Sequence, residues 1–525
     1  MRTGLMAGEL RTTHSAPAVV ETSLAVGLAL AATGLPVLAH LVGQPFGVVI
    51  CAALGGLIAL FAPAILPAAL IASYLFQNFF VSLISPWVAD PADFDAVRAY
   101  NFVFTTVVWL IVVGQYLTRV ERFTPPTRKL MAVGFAALGV IGFYFALGLL
   151  SAPKDAAVYL RNIATPFFLF QIGLVVSTRA GAVGLRPLFV MGWLLLAYGL
   201  SELLLREELF YLINGDRYLE MRMRHSIESG EWVKIMQETG RVIRDIADTQ
   251  KVALFNTPLL DLDIQVYRLL GPNFHSISYA YALSYICLLF FAVKRPAYIL
   301  IALPLMLVVG SKGALILLCL TIAFVHLARV LPGNAVLGVL AAVLASYAAA
   351  TIVIGLQIGD YHVIGLMGGI DGFLRQPIGR GLGVGGNLSV NMAVMDMSRG
   401  QALGRTDVAV ESAIGVLLYQ MGIAALAVCA AYAAVALAAW RRYLATGRRE
   451  LAIVAVSLLA LTTNGLFQEE ALFAPLAAGA LMLLAGIGLG SAPVAWSRAQ
   501  RPAPDAEGGT ICGGSQAGLA AGGAR

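Results

Sequence analysis

The sequence predicts an all-α protein, a polytopic membrane helix bundle of about 12–14 spans with two long outward loops. Three observations predict it. Of 525 residues, 59% are hydrophobic and 12% charged, with mean hydropathy +0.83, whereas soluble chains carry about 25% charged residues. Apolar runs near the roughly 20 residues that cross a bilayer recur along the chain. These runs do not alternate apolar and polar residues as barrel strands do, so backbone groups deprived of water must pair within helices.

Candidate spans lie at Leu24–Leu41, Val48–Leu66, Ala68–Ile84, Phe102–Leu117, Leu130–Leu150, Ile163–Val176 and Leu188–Leu205. After a polar stretch come Ile277–Val293, Ala297–Gly310, Ala314–Ala328 and Ala335–Leu356. After a second come Ala413–Ala439, Leu451–Phe467 and Ala471–Leu489. With the N-terminus inside, 18 of the 35 basic residues and 6 of the 29 acidic ones fall on the inner side, and 17 and 23 outside. The formal +6 is therefore a basic inner face against an acidic outer one, the bias that orients membrane helices. It is no signal for nucleic acid. An even number of spans places both termini inside.

The chain divides into an inner N-terminal segment (1–20), N-terminal membrane helices (21–205), a large outward loop (206–276) and central membrane helices (277–356). A second outward loop with a Gly/Arg-rich segment (357–407), C-terminal membrane helices (408–489) and a disordered inner tail (490–525) follow. The first residues lack the layout of a cleavable signal, so the first span is expected to stay. The tail, rich in Gly, Ala and Pro, carries no chemistry. The five cysteines form no CxxC or CxxH, so neither a disulfide framework nor a zinc site is expected.

Loops as long as the two outward ones are usually functional. In the first, Trp232, Ile235, Met236, Val242, Ile243 and Ile246 make one apolar stripe on a charged helix. Such a helix lies on the membrane surface, caps a cavity or packs on the protein's own outer face. Asp261-Leu262-Asp263 spells a DxD but reads as a solvated acid pair. Arg268 and His275 precede the span from Ile277, and His275 could move protons or bind substrate. Lys312 stands in an outward turn, Val308-Val309-Gly310-Ser311-Lys312-Gly313-Ala314. A charge there is costly without a partner or a task. It either aims an ammonium at an anion beside a helix N-terminus or snorkels.

The second outward loop holds Arg375, Arg380 and Gly381, Gly383, Gly385 and Gly386. The literal GxGxxG is no dinucleotide fingerprint, because it lacks a strand, a βαβ unit and a cytosolic setting. Its glycines allow close backbone approach and a nest of amides suited to phosphate oxygens, or else form a turn between solvated arginines. Glu411, near Arg405 and Asp407, stands at the mouth of a long apolar helix, either as a general base on a hydroxyl or as an acid complementing the helix dipole. No carboxylates pair inside the spans, which argues against an ion-coupled transporter. No EF-hand or His cluster suggests a metal.

In this order, three of these stretches resemble the O-antigen ligase and O-antigen/exopolysaccharide polymerase family of bacterial inner-membrane glycosyltransferases. Ser311-Lys312-Gly313-Ala314 is similar to its Ser-Arg-Gly turn, and Gln376-Pro377-Ile378-Gly379-Arg380-Gly381-Leu382-Gly383 to its His-Pro-x-x-Gly-x-Gly stretch. Glu411, with ten residues between it and Gly422, is similar to its His-x10-Gly helix mouth. Arg268 to His275 is weakly similar to an Arg-x-x-Gly stretch. The resemblance covers about Arg268–Leu426. It departs at Lys312, Gln376 and Glu411, the last favouring a polymerase branch over a ligase.

The resemblance implies transfer of glycan repeats from a polyprenyl-diphosphate carrier to an acceptor hydroxyl on the periplasmic face of the bacterial inner membrane. It implies no metal or cofactor, and other polysaccharide assembly and export proteins as partners. Catalysis would fall to Glu411, Lys312 and Arg380, and binding of diphosphate and glycan to Arg268, His275, Arg375 and Arg405. The alternatives are a ligase moving finished glycan to a lipid or protein, a flippase of lipid-linked glycan, and an export-complex scaffold.

Overall fold

A computed structural model describes residues 16–88, 90–180, 184–228, 247–254, 264–389 and 397–491. The amphipathic stretch from Trp232 to Ile246, Asp261-Leu262-Asp263, most of the N-terminal segment and nearly all of the tail lie outside the described residues.

The chain begins with α1 (Ala16–His40), α2 (Gln44–Phe61), α3 (Leu66–Ile84), a short α4 (Pro91–Arg98), α5 (Tyr100–Leu117), α6 (Pro125–Gly148), α7 (Pro153–Ala180) and α8 (Arg186–Leu204). The first long connection contains α9 (Arg206–Ile213), α10 (Gly215–Glu228) and an antiparallel pair, β1 (Lys251–Ala253) with β2 (Gln265–Tyr267). Next come α11 (Ser276–Ala292), α12 (Ala297–Val309), α13 (Lys312–Leu327) and α14 (Gly333–Ile358). The second connection holds α15 (Tyr361–Arg375) and α16 (Met397–Leu403). The chain closes with α17 (Ala413–Met421), α18 (Ala425–Thr446), α19 (Arg449–Asn464), α20 (Glu469–Phe473), one π-helical turn at Pro475–Gly479, and α21 (Ala480–Gly490).

Among the described residues, nine helical stretches are long and apolar enough to cross a membrane, and four more apolar helices are shorter. This is a multi-pass membrane helix bundle. All fourteen apolar segments of the sequence fall on helices, that at Ala413–Ala439 on α17 and α18 joined at Gly422.

Burial separates helices that composition alone cannot. Most of the apolar window of α7 is buried, and little of that of α14. An all-round apolar helix is equally content in protein or in lipid, so packing decides. Close approach fixes α7 against α21. A Cβ on Gly173 would stand 2.6 Å from the Leu483 carbonyl, and one on Gly486 2.3 Å from that of Phe170. Small residues bring backbones together where lipid supplies no hydrophobic drive. With α21 held so, the short α20 at its head, carrying Glu469 and Glu470, packs against α17 and α7.

Candidate functional site

Two groups of charged residues meet at the end of the bundle from which the two long connections emerge. The first is basic. Arg98 ends α4, Arg161 sits two turns into α7, Arg222 lies on α10 and Arg268 follows β2. Arg98 acts electrostatically on Arg161, Arg222 and His275, and Arg222 and Arg268 also act on His275. All five are at least partly exposed. Arg161 bonds only Asn162 Oδ1, through Nε at 3.3 Å, so its two terminal nitrogens have no partner among the described residues. Arg222 donates to the Phe274 carbonyl and Arg268 Nε to that of Val309 at 2.9 Å. Among the described residues, two carboxylates stand against these four guanidinium groups: Asp95, paired with Arg98 at 3.2 Å, and Glu470, which acts on Arg268.

The chain around Arg268 is fixed from below. Glu202, 1% exposed at the end of α8, accepts from the amides of Leu270 at 2.7 Å and Gly271 at 2.8 Å. Phe274 is held at φ 52, a conformation costly for a bulky side chain. His275 caps α11 by accepting the Ser278 amide at Nδ1 (3.3 Å). Burial first, and then Arg222, Arg268 and Arg98, push its pKa down to about 3. The imidazole is therefore neutral at ordinary pH, with its N–H on Nε2. Of the two roles open to His275, moving protons or binding substrate, a neutral imidazole suits the second, as a hydrogen-bond donor beside the arginines.

The second group is acidic. Glu411 has φ 58 and its amide donates to Asn387 Oδ1 at 2.9 Å. Its Oε2 stands 3.3 Å from Nδ1 of His362, at the start of α15. At this distance the two atoms make a charge contact that falls short of an aligned hydrogen bond. Burial works against both charges but is outweighed. Contact with Glu411, and then Asp360 and Glu470, hold His362 above its ordinary pKa. His362 and Asn387 hold Glu411 below its own.

Glu469, 3% exposed, accepts from Tyr159 Oη at Oε1 (2.7 Å) and from the Asn387 amide at Oε2 (2.9 Å). Burial first, with Glu470 and Glu411 nearby, raises its pKa to about 8. Glu470 is raised too, by burial and then by Glu411, and its Oε2 is buried without a hydrogen-bond partner.

Arg268 and Glu470 join the two groups. Glu470 feels Arg268 on one side and Glu411 and His362 on the other. Lys312 enters at the same seam. It is exposed, Asp360 acts on it as on His362, and the turn before it supplies the Val309 carbonyl to Arg268.

The other sequence candidates lie elsewhere. Arg375 (3.0 Å) and Arg405 share one carboxylate, Asp371, on the far half of α15. Arg380 donates to the carbonyls of Tyr419 (3.2 Å) and Gly372 (2.9 Å) and lies 4.0 Å over the Tyr419 ring. In the glycine segment the close approach is real, and most of the amides that a nest would use are spent on carbonyls. The amides of Arg380 and Gly381 donate to the Gln420 carbonyl, that of Leu382 to Tyr144 and that of Gly386 to Ala409. The segment is a backbone spacer that delivers Asn387 to Glu411 and Glu469.

Sequence reasoning missed Arg98, Arg161, Arg222, His362, Glu469 and Glu470. One signal was present for Arg161. An arginine beside an apolar run, with no acid one turn away, is a charge without a local partner. The comparisons with known proteins add nothing to this geometry, since no family model, curated protein or solved structure matches the chain.

Proposed function

We propose that this protein transfers and polymerises glycan repeats carried on a polyprenyl diphosphate, without a metal, on the outer side of a bacterial inner membrane. One observation carries the reading. Four guanidinium groups are coupled electrostatically through Arg98 and His275, with two carboxylates opposing them among the described residues, beside a carboxylate–imidazole pair. Like charges are not gathered at a membrane boundary without an anion to offset their repulsion and desolvation. Among the described residues the excess of two positive charges matches the two negative charges of a diphosphate diester, and guanidinium groups bind phosphate oxygens through charge-assisted, often bidentate bonds.

The chemistry follows from the two halves. Arg161, Arg222, Arg268 and Arg98 hold the diphosphate and stabilise the charge that develops on it as it departs. His275 adds a neutral donor. The Glu411–His362 pair, across the Arg268–Glu470 seam, takes the proton of the attacking sugar hydroxyl. Lys312 faces the same seam. Arg380, held by the Gly372 and Tyr419 carbonyls, ties α15 to α17, whereas Arg375 pairs with Asp371 on its own helix and Arg405 with the same carboxylate.

The test uses purified protein in lipid nanodiscs with a polyprenyl-diphosphate-linked oligosaccharide, and follows product length on gels. A hydrogen bond to a charged group contributes about 1.5–3 kcal/mol, so Arg161→Ala and Arg268→Ala are each expected to lower turnover about 10- to 100-fold. Arg375→Ala is expected to stay near wild type. Wild-type product from both Arg161→Ala and Arg268→Ala would sink the reading. Single transfer to another lipid or a protein, with no chain growth, would move it to a ligase.

A further inference from the structure

We infer that the group that takes the proton from the acceptor hydroxyl is His362, through Nε2, and that Glu411 is a positioning residue holding the imidazole by its other nitrogen. The inference rests on the transfer reading above and assigns the proton within it.

Geometry carries it. The imidazole presents Nδ1 to Glu411 Oε2 at 3.3 Å. Nε2, on the opposite edge of the ring, makes no hydrogen bond to any described residue. The ring is held by two supports. The His362 amide and that of Val363 donate to Asp360 Oδ1 at 3.0 and 3.3 Å, which fixes the first turn of α15. Glu411 is fixed through its own amide on Asn387 in a left-handed conformation that an acidic side chain seldom adopts. A carboxylate so anchored selects the tautomer with hydrogen on Nδ1 and leaves Nε2 as the lone pair, as in triads where an acid orients a histidine. In the absence of substrate, catalytic contacts of this kind are commonly long and poorly aligned, which is how the 3.3 Å approach stands.

Glu411 itself is badly placed as the base. It is less exposed than His362, 25% against 44% for the side chains, and its carboxylate is engaged by the imidazole. The charged groups around His362 are Glu411 before α17, Asp360 at its own helix start and Glu470 on α20. All three are acidic and strengthen the imidazole as a proton acceptor.

In the step, the acceptor O–H bond breaks and its proton moves to Nε2. The oxygen's electron pair forms the bond to the anomeric carbon. The bond from that carbon to the diphosphate oxygen breaks, and its electron pair leaves with the diphosphate among the arginines. The proton on Nδ1 stays on the ring, facing Glu411, and the imidazolium returns the proton on Nε2 to water.

The test pairs turnover with the titration of His362. Its resonance in protein labelled with 13C-histidine is assigned by its absence in His362→Gln. Wild type is expected to titrate above pH 6.5 and to show a turnover limb rising over the same range. Glu411→Gln removes the nearest anion, so both the resonance and the limb should move to lower pH with turnover reduced but measurable. His362→Ala should lose roughly 10²–10⁴-fold and recover in part with added imidazole, which a purely structural role would not permit.

An active His362→Gln, or an unmoved His362 titration in Glu411→Gln, would overturn the assignment and leave the transfer reading standing. No transfer by wild type, with the titration shifted as expected, would instead remove the transfer reading and this inference with it.

Discussion

Glu469 shows how one residue's protonation state can hold a site together. Its carboxyl accepts from Tyr159 and from the Asn387 amide, and Asn387 in turn holds Glu411. Its pKa rises from 4.5 to about 8, so the folded protein binds a proton here that the unfolded chain has released. The stability lent by this protonation is full below pH 4.5 and is lost progressively as pH rises to about 8, where it levels off. Detergent-solubilised protein should therefore melt at lower temperature at pH 8.5 than at pH 5.5. Glu469→Gln should shrink the difference, with Glu470 responsible for part of what remains. An equal pH slope in Glu469→Gln would show that the group titrates alike in both states.

At the scale of elements, the glycine segment between α15 and α16 exists to bring chain past chain. Gly381 has φ 96, and a Cβ on it would stand 2.7 Å from the amide nitrogen of Gly148 at the end of α6. Gly404 has φ 65 with nothing within 4 Å of such a Cβ. The left-handed conformation alone costs alanine about 1–2 kcal/mol. Gly404→Ala should therefore lower thermal stability modestly. Gly381→Ala, which adds a clash with backbone, should lower it by several kcal/mol or prevent accumulation of the protein. Similar melting temperatures for the two variants would remove the packing argument.

At the same scale lies the limit of what the sequence could say. The glycines announced close approach in their spacing. Most amides of the segment were open to an anion in that reading, until the fold supplied carbonyls from Gln420, Tyr144 and Ala409. Arg375, Arg380 and Arg405 looked like Arg268 in the sequence, because charge and loop position were all it offered. Asp371, Tyr419 and Gly372 then claimed those three, while Arg268 kept its place between Glu470 and His275.

For the whole molecule, the charge imbalance and the helices make a topological prediction. Leu403 on α16 and Thr446 at the end of α18 are both exposed and stand on either side of a membrane-length apolar stretch. In a background with the native cysteines replaced, Leu403→Cys should react with an impermeant maleimide from outside intact cells. Thr446→Cys should react only after permeabilisation. The reverse pattern would invert the orientation and place the arginine basin on the inner side.

The sequence by itself determined that the chain is a membrane bundle and where its apolar helices lie. Those properties follow from transfer free energy and the need to pair backbone groups, and both are written in local runs of residues. Only the tertiary structure decided the site. Arg98, Arg161, Arg222 and Arg268 come from α4, α7, α10 and the stretch after β2, and His362 meets Glu411 across 49 positions. Whether a charge is paired, idle or gathered with others depends on which helices pack together. That packing is set by glycine contacts and buried carboxyls far from the charges concerned, at Gly173 against Leu483 and at Glu202 beneath Leu270.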